Sequence, residues 1–338
     1  MDIYYLGQFP PPYGGVTVKN ALLFKVLGNR IPIKKLGFRD ESSVKILLLL
    51  LTSRTDLFLL GFGNERLQRN LVCLLARVRP SVLKRCSLIA MGGMLPNHLS
   101  EDKRYVNACS KLRQIYVETN SMADKMAELG FCNVSVYPNC RERPSKAQLP
   151  KATELPIKCV SCSLISPEKG ADVILDAADR LRDVEFHFYG RIQQNYEESF
   201  KTIASSLPNV FYHGVFDSVR NDVIAELAKY DLHLFPTRWP NEGVPGVLVE
   251  TKMAAIPSIV SNICYNAELV KDGSEGIVLS EYGVESLTMA IGNLRDDLGT
   301  LDKLKAGALA SSERFYTDQY IDLIISDMSE TPRNGGRQ

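Results

Sequence analysis

The sequence predicts an α/β protein of two halves, each a parallel sheet covered by helices. Three observations carry that reading. Short apolar runs alternate with stretches of helical period along most of the chain, and strands alternating with helices imply parallel sheets covered on both faces. A polar stretch over residues 141–156, with prolines at 144, 150 and 156, interrupts the alternation and reads as a linker. The charge changes sign at the same place: residues 1–145 carry 21 Lys+Arg against 11 Asp+Glu, and residues 146–338 carry 19 against 28. A length of 338 residues suits two domains, each large enough to bury a core.

The elements follow in order. Ile3–Leu6 is a strand ended by Gly7, and the turn-rich Pro10–Gly15 leads into a helical pattern from about Thr17 to Leu27. Asp56–Gly61 reads as a buried strand and Glu65–Val78 as a helix. Cys86–Ala90 and Gln114–Val117 are strands. Ser121–Leu129 is a helix with Gly130 just past its end, and Val134–Tyr137 is again a strand. Beyond the linker the strands are Lys158–Ile165, Val184–Tyr189, Val210–His213, Leu232–Phe235 and Ser258–Val260. The helices between them are Gly170–Leu181, Tyr196–Ser206, Val219–Lys229 and Gly246–Ala255. Two such halves place a ligand at the carboxyl ends of the strands, in the cleft between them. The Gly/Arg-rich tail Glu330–Gln338 reads as disordered.

Composition excludes several classes. Apolar residues are 45% and charged residues 23%, ordinary for a globular protein, and a net charge of +1 argues against a nucleic-acid binder. Eight cysteines are scattered along the chain, which does not suit a disulfide scaffold. Cys159 and Cys162 lie in a strand-like run with no second ligand pair nearby, so they read as reduced structural thiols rather than zinc ligands. That favours a cytoplasmic location. The start Met1–Leu6 lacks the basic n-region of a secretory signal, and no window approaches the ~18 apolar residues of a spanning helix.

The informative stretch is Asp231–Val260. A strand ends at Pro236, a loop carries Glu242 and Gly243, and a helix starts near Gly246 with Glu250 in its second turn. Glycines at a helix start let backbone N–H groups approach an anion, assisted by the helix dipole. Glu242 and Glu250 can present one carboxylate to a transferred group and the other to a ribose diol, since a carboxylate accepts from two vicinal hydroxyls. On spacing alone the two read equally well as a solvated loop residue and a surface helix residue.

The segment resembles the E-x7-E motif of retaining glycosyltransferases of the GT-B fold, glycosyltransferase family 4. Pro236-Thr237, Glu242-Gly243, Gly246, Glu250, Met253-Ala254 and Pro257 fall in register with it. Ser166-Pro-Glu-Lys169-Gly170 resembles the family's lysine motif, and Val210–Gly214 its V-x-F-x-G strand. Glu268–Gly273 resembles its E-x-V-x-D-G turn, Pro11–Gly15 its glycine loop, and Tyr137-Pro138-Asn139 the junction between its domains. The likeness is strong over 158–275 and weak over 16–130.

The resemblance implies two Rossmann-like βαβ domains facing each other across a cleft. Residues 1–145 would form the acceptor-side domain and 146–312 the nucleotide-sugar-binding domain. Residues 313–330 would be a helix returning to the first domain, and 331–338 a disordered tail. It also implies roles. Lys169 would pair with the donor diphosphate, Gly14 and Gly15 would let the first-domain loop approach it, and Glu242 would contact the donor sugar. Glu250 would hold the ribose hydroxyls, Gly243 would belong to the donor-binding loop, and the amides of Gly246, Val247 and Leu248 would hold the phosphates; Pro245 has no N–H to offer. The family generally needs no bound metal, so no metal or cofactor is expected; the nucleotide-sugar, a UDP-sugar by preference, is a substrate.

Two positions depart from the family pattern. Its arginine five residues before the lysine is Leu164 here, and Arg191 and Arg238 are the replacement candidates. Its first-domain histidine is replaced by Ala90–Met94, with His98 nearby as the candidate. The implied activity is retaining transfer of a sugar to a glycan or lipid-linked acceptor in bacterial surface polysaccharide assembly. A nucleotide-sugar epimerase or phosphorylase on the same fold, and a non-catalytic binding subunit, stay open beside it. Arg66, Arg69, Arg77 and Arg79 surround the apolar positions of 65–85; this reads either as a packed helix with a solvated basic rim or as a patch resting on anionic membrane.

Overall fold

The computed structural model describes residues 1–329 except 39, 147 and 218–220. The chain divides into two compact units: Met1–Arg143 with the segment from Phe315 onward, and Pro144–Arg314.

The first unit holds six parallel strands: β1 (Ile3–Gly7), β2 (Lys34–Gly37), β3 (Leu57–Gly61), β4 (Cys86–Ile89), β5 (Gln114–Val117) and β6 (Val134–Val136), in the order β2-β1-β3-β4-β5-β6. β3 and β4 are buried along their whole length, as unbroken apolar runs between two helical layers must be. Tyr5, Leu59, Ile89 and Tyr116 of the sheet pack with Leu23 and Leu27 of helix Gly15–Gly28 and with Ile321 and Ile324 of helix Ile321–Ser329. Asp327 fastens that last helix, accepting from Ser87 Oγ at 2.8 Å and pairing with Arg113 Nε at 3.2 Å.

The second unit holds β7 (Lys158–Cys162), β8 (Glu185–Tyr189), β9 (Val210–Tyr212), β10 (Leu232–Phe235), β11 (Ser258–Ser261) and β12 (Gly276–Leu279), all parallel, in the order β12-β11-β10-β7-β8-β9. One face of the sheet buries Phe186, Phe188, Leu232 and Leu234 with Ile174 and Ala178 of helix Ala171–Arg180. The other buries Val160 with Leu227, Tyr230, Ala254 and Ile256. His233 lies wholly inside β10; burial pushes its ring down to about 3, so it is neutral, bonded through Nδ1 to Ser258 Oγ at 3.0 Å. All eight cysteines are free thiols, and burial pushes Cys159 well above the usual range.

Several elements differ from the sequence expectation. The strand expected over Lys158–Ile165 stops at Cys162, because the chain turns there to make the Ser166-capped turn Pro167–Lys169. Helix Ser43–Thr52 has no expected counterpart: its leucines run without a break, so they show no period. β2 is half exposed and reads Lys-Lys-Leu-Gly, which gives no strand pattern either. The helix expected over Val219–Lys229 is described as Val223–Leu227, capped by Asp222; Val219 and the tail 331–338 lie outside the described residues. Among the described residues no helix is long and apolar enough to cross a membrane.

Candidate active site

The E-x7-E segment and the lysine motif meet at the carboxyl ends of β7 and β10, where a parallel sheet presents its ligands. After β7, Ser166 Oγ accepts the Lys169 N–H at 3.4 Å and starts the turn Pro167–Lys169. Gly170 follows at φ +81°, and a Cβ there would lie 2.2 Å from the Pro236 carbonyl oxygen. Only glycine permits this approach, which sets Lys169 against the chain leaving β10. Arg238 N–H donates to the Glu168 carbonyl at 2.8 Å and closes the contact.

Within this junction Lys169 Nζ pairs with Glu242 Oε1; the side chains are 20% and 12% exposed. Thr237, fully buried, shares its hydroxyl between the Glu168 carbonyl at 3.3 Å and Glu242 Oε1 at 3.4 Å. The ammonium also lies 5.9 Å from the Phe235 ring and 5.8 Å from the Trp239 ring. Aromatic faces favour a cation. The lysine is therefore partly dry, with one carboxylate as its partner.

Helix Gly246–Met253 begins beside this pair, with Pro245 as its cap and no side-chain cap on its amides. Leu248 N–H donates to the Pro245 carbonyl at 3.1 Å, so its expected phosphate contact is already committed inside the first turn. The amides open to an anion at this terminus are those of Gly246 and Val247. Gly243 is buried in the loop before it. Glu250, half-buried one turn further on, faces the end of β7; burial pushes the Cys162 thiol up to about 12, and the Glu250 charge adds to the shift.

The two arginine candidates differ. Arg238 is tied up: its guanidinium bonds Asp172 Oδ2 at 3.1 Å and Tyr282 Oη at 3.2 Å. Arg191 is exposed, and its carbonyl accepts the Ile165 N–H at 2.9 Å in a parallel bridge of Ile165 with Ile192. The residues just before that bridge, Leu164 and Arg191, thus lie side by side, and a cation stands next to the position where the family pattern has its arginine.

Gly14, Gly15 and His98 belong to the first unit. Gly14 caps helix Gly15–Gly28, its N–H donating to Thr17 Oγ1 at 3.0 Å, and a Cβ at either glycine would meet nothing within 4 Å. Both offer bare backbone to open space. His98 sits on helix Leu95–Glu101 with Nδ1 2.8 Å from Glu65 Oε1, so its ring is engaged by a neighbouring helix. Sequence reasoning missed Trp239. It is the chain's single tryptophan and stands within the motif loop, which is a signal that could have found it.

Residues 156–297 match the family model of glycosyl transferases group 1. A UDP-Gal:alpha-D-GlcNAc-diphosphoundecaprenol alpha-1,3-galactosyltransferase of Escherichia coli is 33% identical over 115 residues, which is 32% of this chain and 29% of that relative's length. Among solved structures, Anabaena HepE in complex with UDP and glucose superposes with a TM-score of 0.73 at 17% identity, covering 97% of this chain and 99% of that one. WaaG, a glycosyltransferase involved in lipopolysaccharide biosynthesis, gives 0.64 at 13%, covering 98% and 100%. At these identities the structural likeness speaks for the fold alone. The chain is built on the GT-B fold, and its residues 156–297 match the family model of glycosyl transferases group 1.

Proposed function

We propose that this protein transfers a sugar, with retention, from a UDP-sugar to a glycan or lipid-linked acceptor in bacterial surface polysaccharide assembly. The observation that carries the reading is the Lys169–Glu242 pair beside the start of helix Gly246–Met253. Lys169 leaves Glu242 for the donor diphosphate, and the amides of Gly246 and Val247 take its oxygens. Glu250 accepts from the ribose hydroxyls. Arg191 supplies the second cation that Leu164 does not. No metal enters this scheme; leaving-group charge is met by the lysine, the arginine and the helix terminus.

Once released, Glu242 orients and stabilises the sugar rather than attacking it. The bond from the anomeric carbon to the diphosphate oxygen breaks, and the acceptor oxygen bonds to that carbon on the same face. The departing diphosphate takes the acceptor's proton. Support for the substrates comes from relatives: the Escherichia coli enzyme is named for UDP-Gal and a diphosphoundecaprenol acceptor, and HepE was crystallised with UDP. The test is turnover of UDP-hexoses by wild type, Lys169→Ala and Glu242→Ala. Unchanged turnover in both variants would sink the site. Leu164 favours one rival, a donor-binding protein without catalysis; transfer or donor hydrolysis by the purified chain rules it out.

A lipid-linked acceptor calls for a surface that meets the membrane, and the first unit offers one. Helix Ser43–Thr52 is apolar nearly all round, yet Val44 and Leu48 are 66% and 55% exposed. On helix Glu65–Val78, Leu74 and Val78 are exposed as well. Arg79 Nη1 joins the two helices by donating to the Leu50 carbonyl at 3.2 Å, and Arg54, Arg77 and Lys84 stand exposed near that end. Basic groups at an anionic lipid surface add about 1 kcal/mol each. Vesicles of phosphatidylglycerol should sediment the protein, and Val44→Asp/Leu48→Asp should release it; equal binding to neutral vesicles would contradict the charge argument.

A further inference from the structure

The donor-site scheme leaves one buried ion pair of the first unit unused. Lys19 and Glu118 are 2% and 4% exposed, with Nζ 2.6 Å from Oε1. Lys19 Nζ also donates to the Ala90 carbonyl at 3.1 Å and lies 5.4 Å from the Tyr137 ring. Burying two charges is expensive, and their mutual attraction often only balances that cost; apolar residues of the same size frequently hold a fold as well or better. Stability alone therefore does not account for the pair.

Its position does. Lys19 stands one turn into the helix that begins at the Gly14–Gly15 turn. Ala90 follows β4 and opens the turn Met91-Gly92-Gly93, with Gly92 at φ +99°. Glu118 follows β5, and the next residue, Thr119, caps helix Asn120–Glu128 by accepting the Met122 N–H at 3.1 Å. Tyr137 follows β6 on the path to the unit boundary, its N–H donating to the Val117 carbonyl at 2.7 Å. One ion pair thus touches four segments at the carboxyl edge of the first sheet. The helix has a separate anchor next door: Asn20 donates to the carbonyls of Gln8 and Gly61, each at 2.9 Å, and accepts from Tyr5 Oη at 2.6 Å.

We propose that the Lys19–Glu118 pair is a positioning device, which holds the Gly14–Gly15 and Met91–Gly93 turns in the one arrangement that sugar transfer requires. This rests on the transferase reading above. With Asn20 keeping the helix docked, losing the pair loosens the turns without unfolding the unit.

The test uses the full-length double variant Lys19→Met/Glu118→Leu, and Lys19→Gln/Glu118→Gln as a second pair that keeps polar contact without charge. Melting temperature, UDP affinity by calorimetry and steady-state turnover of a UDP-hexose are measured beside wild type. The expected result is a melting temperature at or above wild type for at least one pair, UDP affinity within about threefold, and kcat lowered at least tenfold. A folded double variant with wild-type kcat overturns the proposal alone. So do two pairs that both fail to fold, since the ion pair is then structural. Absence of wild-type turnover overturns the transferase reading, and the proposal with it.

Discussion

Replacing Glu242 by glutamine separates donor affinity from catalysis, in opposite directions. Glu242 pairs with Lys169, and both side chains are mostly buried. Exposed ion pairs are worth roughly 0.2–1 kcal/mol, and losing one partner of a buried pair costs roughly 3–5 kcal/mol. A pair at this depth falls between, at about 1–2 kcal/mol. Glu242→Gln removes that competitor, so Lys169 meets the diphosphate without first giving up a carboxylate. At about 1.4 kcal/mol per factor of ten, UDP should bind about 5- to 30-fold tighter. The same change takes the carboxylate from the transferred sugar, and loss of one oriented group at a centre of developing charge lowers kcat by about 100- to 1,000-fold. Calorimetric titration with UDP and steady-state turnover of a UDP-hexose read the two effects. Weaker UDP binding in Glu242→Gln would refute the exchange of partners, whatever happened to kcat.

Arg191→Ala should weaken UDP binding about tenfold, a charge-assisted contact of about 1.4 kcal/mol, and Leu164→Arg in that background should restore it. Arg238→Ala should change UDP affinity less than about twofold, because Asp172 and Tyr282 already hold that guanidinium; the reverse ranking in calorimetry would exchange their roles. Gly170→Ala forces φ +81° on an alanine and drives its Cβ to 2.2 Å from a carbonyl oxygen, so urea unfolding should show a loss of roughly 2–4 kcal/mol. A loss below about 0.5 kcal/mol would contradict the close approach. His233 has its folded value depressed to about 3, against about 6.5 when unfolded, so below pH 6.5 the unfolded chain binds a proton that the folded one refuses. Its contribution is complete above pH 6.5 and falls as the pH drops toward 3, by at most about 1.4 kcal/mol per pH unit. His233→Phe should flatten that part of the urea-stability profile, and an unchanged slope would show that other groups set it.

The alternation of strands and helices was legible because strands buried on both faces, such as Leu57–Gly61, must be apolar throughout and end in turns. The E-x7-E segment was legible for a different reason: Glu242, Gly246 and Glu250 lie within nine residues, on one loop and one helix. Lys169 joins them from 73 residues away, through the contact of Gly170 with Pro236. The pairing of Arg191 with Leu164 depends on strand register, which local pattern does not encode. Lys19 and Glu118 were invisible for the same reason: they are 99 residues apart, one inside a helical pattern and the other just past a strand. Helix Ser43–Thr52 escaped because five successive leucines carry no period, the very feature that leaves its outer face apolar.

The most direct measurement follows the anomeric protons by NMR while the purified chain is incubated with UDP-galactose or UDP-glucose and a prenyl-diphosphate-linked GlcNAc. The account predicts that the α-anomeric signal of the donor gives way to a new α-glycoside with release of UDP, and that Lys169→Ala/Glu242→Ala abolishes the exchange. A β-glycoside, or donor turnover that survives the double substitution, would contradict it.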